Sequence, residues 1–393
     1  MITYKDCGVD YGNMDPHKRE SMLEAMQTDE WLERFGFSIV PWTRGESATL
    51  VETPFGYIGF VVEGLGTKNL VADAVKKILR KTGRDEKTFY DYIAQCNTAM
   101  AFNDLITVGA RPFLYGQYLA AGSSSWFKEE TRRRELIKGT KNACDAAKCC
   151  WGGGETPTLQ GIIYPDTVDL AGAVVGFIPL QKKGQIINPA KIKHGDAIVM
   201  IESSGIHANG LTLARKIAEK EPLWRRLRGW LFPWLFKKSR RLPKGYKTVL
   251  SDGRTYGESL LDPTHVYVGL VEDCLDKGID IHYAVNITGH GWRKLMRAPQ
   301  QFTYVIESIP RPQPVFQIII ETTGMSLKEA YGTFNMGAGF ALYVDPKDSD
   351  QVIDIARRQG REASRAGHIE EGEKKVVIKP LNIEFGGDEL KIR

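Results

Sequence analysis

Glu202-Ser-Ser-Gly-Ile-His-Ala-Asn-Gly210 is the stretch whose reading decides the fold. The apolar run 197–201 leads straight into it and reads as a buried strand. Leu213 and Ile217, four apart, begin a helical pattern behind it. Two glycines, a histidine and an asparagine therefore sit in a tight strand-to-helix turn. Such a turn points backbone N–H groups at one spot beside the positive end of a helix dipole, which suits an anion with an imidazole next to it. A plain structural turn explains the same residues, with glycine supplying left-handed backbone and Asn209 capping the helix. On this stretch alone the two readings stand level.

Working outward, the same alternation recurs. Residues 56–63 read as a strand that ends in Gly64-Leu-Gly-Thr-Lys68, and residues 71–79 continue at helical spacing. Residues 20–34, 90–109 and 129–148 read as helices and 112–120 and 169–180 as strands. The run 151–156 reads as a glycine-rich turn. Beyond a Lys/Gly/Pro-containing connector at 181–195 come a helix starting near Pro263, a helix over 314–323 and a strand over 338–344. Strands and helices alternate in both halves, so the spacing predicts an α/β (α+β) protein. The chain has 393 residues, which predicts two domains, 1–184 and 185–393.

With 42% apolar residues the chain has enough to bury, and its net charge of +5 suits phosphorylated small molecules but is too weak to argue for nucleic acid. Six cysteines show neither a disulfide framework nor C-x-x-C spacing, and Cys149 and Cys150 read as buried thiols of a cytoplasmic protein. The N-terminus lacks an apolar signal core, and no stretch of eighteen apolar residues occurs.

Several residues carry chemistry. Gly64 and Gly66 let backbone approach a ligand, Thr67 follows, and Lys68 can neutralise phosphate; the spacing is not that of a Walker A loop. Asn103, Asp104, Glu155 and Asp169 are candidate Mg²⁺ or substrate ligands, although a lone Asp or Glu is more often a solvated group or a cap, and Glu155 is the best placed of them. Gly152, Gly153 and Gly154 leave room for a ligand beside Glu155. His207 is the first acid/base candidate and His290, in its own glycine turn, the second. The segment 224–247 holds nine Lys or Arg, three Trp, two Phe and no acid. Membrane-surface docking or an acidic partner would fit it. A helical flap packed on its own domain or a second subunit fits as well and is the reading adopted, since aromatic clusters usually serve packing.

Taken in order, these motifs resemble one family, aminoimidazole ribonucleotide synthetase, also called phosphoribosylformylglycinamidine cyclo-ligase. The resemblance runs through Tyr4-Lys-Asp-Cys-Gly-Val-Asp10, Gly64 to Lys68, Asn103-Asp-Leu with Gly109-Ala-Arg-Pro112, and Gly153-Gly-Glu-Thr156. It continues through Asp169-Leu-Ala-Gly172, Ser203 to Gly210, Leu260-Leu-Asp-Pro-Thr264, Ile287-Thr-Gly289 and Thr333 to Gly339. It implies N-terminal strands forming a dimeric barrel, with a C-terminal α/β domain packed beside it. It further implies closure of the imidazole ring of formylglycinamidine ribonucleotide with ATP and Mg²⁺. In that scheme Lys68, the glycines 64, 66, 153 and 154, Thr67 and Asn103 contact ATP. Glu63, Asp104 and Glu155 hold Mg²⁺. Ser204, Gly205, Asn209 and Gly210 hold substrate, with His207 near the transferred group.

The chain departs from the family's pattern at Glu63, Cys96 and Gln117, each standing where the family shows Asp, and at His290, which interrupts a glycine run. Residues 35–47 replace a glycine-rich segment. These departures leave two alternatives: another ATP-using phosphoryl-transfer enzyme of the superfamily, or a non-catalytic ligand-binding paralogue.

Overall fold

The computed structural model describes residues 7–8, 10–81, 83, 87–219 and 241–390. Most of the basic aromatic insert, 224–240, lies outside the described residues. Its end, 241–247, packs on its own domain: Leu242 and Tyr246 are buried, and the Leu242 amide donates to the Ile217 carbonyl.

The N-terminal sheet has six strands in the order β1-β2-β3-β6-β4-β5. They are β1 (Ser38–Ile39), β2 (Thr49–Thr53), β3 (Gly56–Gly64), β4 (Arg111–Ala121), β5 (Cys150–Glu155) and β6 (Val168–Pro179). Helices α1 (Tyr11–Met26), α2 (Lys68–Arg80), α3 (Tyr90–Leu105) and α4 (Glu130–Ala146) accompany it. Along β6 buried and part-exposed residues alternate, as a strand's two-residue period requires. One face, with Tyr57, Val61, Tyr115 and Val174, shares a core with Phe102 and Leu105 of α3. The sheet is open, with β1 and β5 at its edges, so the described strands form no closed barrel.

The second sheet has the order β13-β12-β9-β11-β7-β10-β8. Its strands are β7 (Ala197–Glu202), β8 (Ile281–Asn286), β9 (Phe302–Ile306), β10 (Ala338–Val344), β11 (Ala363–Glu371), β12 (Lys375–Ile378) and β13 (Ile383–Gly386). β7 and β10 are apolar on both faces because both are covered. Ile198 and Met200 pack with α5 (Leu211–Ala218) and the helix Pro314–Thr323, while Val199 and Ile201 pack with the helices Val268–Asp276 and Ser349–Arg358. Those cores also take in α3, so the two domains share apolar contacts.

Three expected elements differ. The helix expected over 20–34 is two pieces, α1 ending at Met26 and a tight turn over Asp29–Phe35, with the Thr28 hydroxyl on the Ala25 carbonyl at the break. The expected glycine-rich turn at 151–156 is β5, laid parallel to β4. A Cβ on Gly154 would stand 1.8 Å from the Gln117 carbonyl oxygen, so glycine there admits the close approach of two backbones. Cys150, expected to be buried, is exposed on this edge strand. The helix expected near Pro263 begins only at Val268. The Asn103 carboxamide holds the preceding segment extended, donating to the His265 carbonyl (2.7 Å) and accepting from the Tyr267 amide (2.9 Å).

Candidate active site

A cleft of about 680 Å³ opens between the two domains. From the N-terminal side it is lined by Glu63 and Gly64 at the end of β3, by Leu65–Thr67, by Met100 and Asp104 of α3, and by Gly45–Ser47. From the C-terminal side come residues 208–212 at the start of α5, Asn286 at the end of β8, Thr288–His290, Lys294 and Arg297. Met14, Lys18 and Met22 of α1 complete it.

Two helix N-termini meet here. Thr67 precedes α2 and Gly210 precedes α5, and neither helix has a side-chain cap. Their first amide groups are therefore available to an anion, with the dipoles in support. Gly210 takes φ +78°, and a Cβ on it would stand 2.2 Å from Cε1 of Phe334. Glycine, and not the expected Asn209, is thus the residue that turns the chain into α5. The Thr67 hydroxyl lines the cleft, buried and with no hydrogen-bond partner among the described residues.

The charged groups are crowded together. The Glu63 and Asp104 carboxyl groups interact directly, and Asp104 Oδ1 accepts from Nδ2 of Asn286 at 2.7 Å. Burial, then the Asp104 charge, pushes the Glu63 carboxyl up to about 8, against the opposing pull of Lys294 and Arg297. The Lys294 ammonium donates to the Thr288 hydroxyl and, at 3.5 Å, to the Asn286 carbonyl. Burial lowers its pKa while Asp104 and Glu63 work the other way. Arg297 ties down residues 45–47, donating to the Gly45 carbonyl (2.8 Å) and the Ser47 hydroxyl (2.9 Å). His290 is pushed down to about 3, first by burial and then by Arg293 and Lys294, so it is neutral in the physiological range.

Of the expected site residues, the structure brings Glu63, Gly64, Gly66, Thr67, Asp104, Asn209, Gly210 and His290 to the cleft. The others are held elsewhere by contacts of their own. Lys68 is fully buried, and its ammonium is a strut between domains, donating to the carbonyls of His207 (2.7 Å) and Asp262 (2.6 Å). The His207 ring is buried against His265 and Tyr267, and its Nε2 accepts from the Ser204 amide at 3.2 Å. Burial holds its pKa well below the usual imidazole range, so it is not placed as an acid or base. Gly339 leaves space for this ring, since a Cβ there would meet it at 2.6 Å. Ser204 donates to the Pro263 carbonyl (2.6 Å), and the Gly205 carbonyl accepts from Asn335 (2.9 Å). The first half of the 203–210 turn is thereby a tethered scaffold, and only its second half faces the cleft.

Asn103 is fully buried and clamps residues 265–267. Glu155 is exposed on β5, with Gly153 and Gly154 beside it. The register Glu63↔Gly172↔Gln117↔Gly154 sets three strand spacings between that edge and Glu63, roughly 14 Å. Asp169 lies on the exposed face of β6, opposite to the face of α3. Cys96 accepts from the Thr264 amide (3.2 Å) and Gln117 donates to the Thr140 hydroxyl (3.1 Å), so both are scaffold contacts outside the cleft lining.

Sequence reasoning missed Lys294, Arg297, Asn286 and Glu46, a cleft-lining carboxylate that pairs with Arg297 at 3.5 Å. The Ile287-Thr-Gly289 motif was the available signal. It marks the turn after β8, but nothing in one-dimensional spacing says that the following tight turn, Gly291–Met296, aims Lys294 at Asp104.

Known proteins share this architecture. The family described as AIR synthase related protein matches with its N-terminal domain over residues 69–178 and its C-terminal domain over 193–379. A phosphoribosylformylglycinamidine cyclo-ligase of Methanocaldococcus jannaschii is 33% identical over 371 residues, covering 94% of this chain and 92% of that protein. Among solved structures, a HypE–HypF complex aligns with TM-score 0.54 at 14% identity, covering 90% of this chain and 95% of that one. AaThiL complexed with AMPPCP and TMP aligns with TM-score 0.50 at 15% identity, covering 87% and 90%. At those identities the two structures speak for the two-domain fold alone. Sequence and fold together place this chain in the phosphoribosylformylglycinamidine cyclo-ligase family.

Proposed function

We propose that the chain closes the imidazole ring of formylglycinamidine ribonucleotide at the expense of ATP, in purine biosynthesis. The observation that carries the site assignment is the meeting of two uncapped helix N-termini with a carboxylate pair and two cations in one cleft. In this reaction ATP phosphorylates the formamide oxygen, an internal nitrogen attacks that carbon, and phosphate departs. The chemistry asks for positioning and charge neutralisation more than for a strong acid or base. Amides of Gly66, Thr67, Leu211 and Thr212 would receive phosphate groups, and Arg297 and Lys294 would supply positive charge.

The residues present also fit Mg²⁺. Two adjacent carboxylates and the partnerless Thr67 hydroxyl offer hard oxygen donors, and magnesium commonly takes one or two carboxylates with phosphates and water for the rest. Glu63 and Asp104 would hold it, and the ion supplies neutralisation of the phosphate charge. No described group of three or more His, Cys, Asp or Glu gathers as an alternative metal site. The motive for a non-catalytic alternative, Cys96 and Gln117, falls away because both are scaffold residues.

We further infer a homodimer. The outer face of the first sheet carries Phe60, Val62 and Leu114 at 47%, 62% and 41% exposure, with Ala171, Ala173, Val175 and Phe177 between them. An apolar sheet face of this extent calls for a covering layer, and a second copy of the same sheet supplies one, giving the barrel expected from the resemblance. We place the boundary at 184/185, with 1–184 the ATP-binding and dimerisation domain. Six free thiols suit a reducing, cytoplasmic setting. Among the described residues no helix is long and apolar enough to cross a membrane.

The direct test is purified protein with ATP, Mg²⁺ and formylglycinamidine ribonucleotide. Stoichiometric ADP, phosphate and aminoimidazole ribonucleotide are expected, and well-folded protein yielding none of them would end this reading.

A further inference from the structure

Lys294 is a cation that the protein itself builds into the acidic part of the cleft. It is 8% exposed, and no role in sequence reasoning attached to it. Its ammonium is held from one side by the Thr288 hydroxyl and the Asn286 carbonyl. The side chain of that same Asn286 donates to Asp104 at 2.7 Å, so one residue sets the spacing between the ammonium and the carboxylate. Lys294 acts electrostatically on both Asp104 and Glu63 yet makes no contact ion pair with either among the described residues. A lysine placed only to cancel a carboxylate would close to hydrogen-bond distance. This one is tied back by neutral oxygens, with its charge kept near a pair whose carboxyl groups bond to each other and, through Asp104, to Asn286.

We propose that Lys294 is a fixed counter-cation for the Glu63–Asp104 pair: it takes the place of a second divalent ion, so each chain binds one divalent ion with its nucleotide. The inference rests on the Mg-nucleotide reading of this cleft. Its physical basis is repulsion in a poorly screened site, where a second doubly charged ion would have to sit beside a buried ammonium. Arg297 and Lys18 of α1 face the same space, but each has a carboxylate partner, Glu46 at 3.5 Å and Asp15 at 3.2 Å, which leaves Lys294 as the cation without a contact ion pair among the described residues of the cleft. Lys294 is thereby a positioning residue that sets metal number, and it forms no bond to the reacting atoms.

The test is a titration of the full chain with Mn²⁺ in the presence of a non-hydrolysable ATP analogue, counted by electron paramagnetic resonance. Wild type is expected to bind one Mn²⁺ per chain. Lys294→Met, which keeps the length and removes the charge, is expected to bind two; Lys294→Arg is expected to stay at one. Lys294→Gln serves where the methionine variant fails to fold, as judged by circular dichroism. One ion in the neutral variants, at whatever affinity, overturns the proposal, and two ions in wild type overturn it without any variant. No Mn²⁺ bound by wild type would instead overturn the metal assignment on which it rests.

Discussion

At the scale of single residues, the informative groups are those whose chemistry and surroundings disagree. Glu63 is an acid in a place that disfavours its charge. Below its unfolded value of 4.5 it is protonated in both states and has no effect on stability. Between 4.5 and about 8 only the unfolded chain ionises, so the folded chain loses stability as pH rises through that window, and the loss is complete above it. Glu63→Gln, whose amide can still donate to Asp104, is therefore expected to stabilise the ligand-free protein at pH 8.5 by roughly 3 kcal/mol, with no gain at pH 4. Urea unfolding at the two pH values checks this, and an equal gain at both would show that Glu63 ionises freely. The same variant should lose at least 100-fold in turnover. Lys68 makes the opposite case, a buried ammonium held by two carbonyls. Lys68→Met is expected to cost about 2–4 kcal/mol, because the carbonyls stay buried and lose a charged donor. A variant of unchanged unfolding midpoint but raised KM for ATP would reassign Lys68 to the phosphates.

At the scale of elements, the strand-to-helix turn from β7 to α5 divides into two functions. Residues 203–207 are fastened to other segments by side-chain bonds, and residues 208–212 present α5's first turn to the cleft. The hinge of this division is Gly210. Gly210→Ala places a methyl group into the Phe334 ring and holds a non-glycine residue at positive φ. It should cost about 2–4 kcal/mol and weaken nucleotide or substrate binding together, since the α5 amides shift as a set. Isothermal titration with the ATP analogue measures the second effect, and full affinity in a folded variant would separate α5 from the anion site. The same logic explains β5: the glycines that suggested a ligand loop serve a parallel strand pairing.

At the scale of the whole molecule, the cleft exists because two sheets with different coverage share one boundary. The second sheet is sandwiched by helices on both faces, whereas the first leaves one face apolar and open. A charge on that face should therefore act on assembly and leave the fold alone. Phe60→Glu, or Val62→Lys, is expected to halve the mass in sedimentation equilibrium while the thermal midpoint at low protein concentration changes little. A dimer of undiminished stability in both variants would move the interface elsewhere.

The order of strands and helices was legible in the sequence because burial imposes a period, and β3, β6, β7 and β10 show it plainly. So was the family, since short motifs in a fixed order survive divergence, and with them the part of the cleft formed by Gly64–Thr67, Asp104 and Gly210. Which polar residues face that cleft was not legible. His207 and Lys68 stand in the most suggestive motifs, yet the His207 Nε2 accepts from the Ser204 amide and the Lys68 ammonium donates to the His207 and Asp262 carbonyls. Lys294 and Arg297 stand in an unremarkable stretch, yet a tight turn after β8 carries them to the acidic pair. A motif reports that a local backbone shape is needed. Whether its side chains bind a ligand or brace a neighbouring segment depends on the partners that folding brings to them, as with Lys68 and Asp262, 194 residues apart, and only the tertiary structure chooses those.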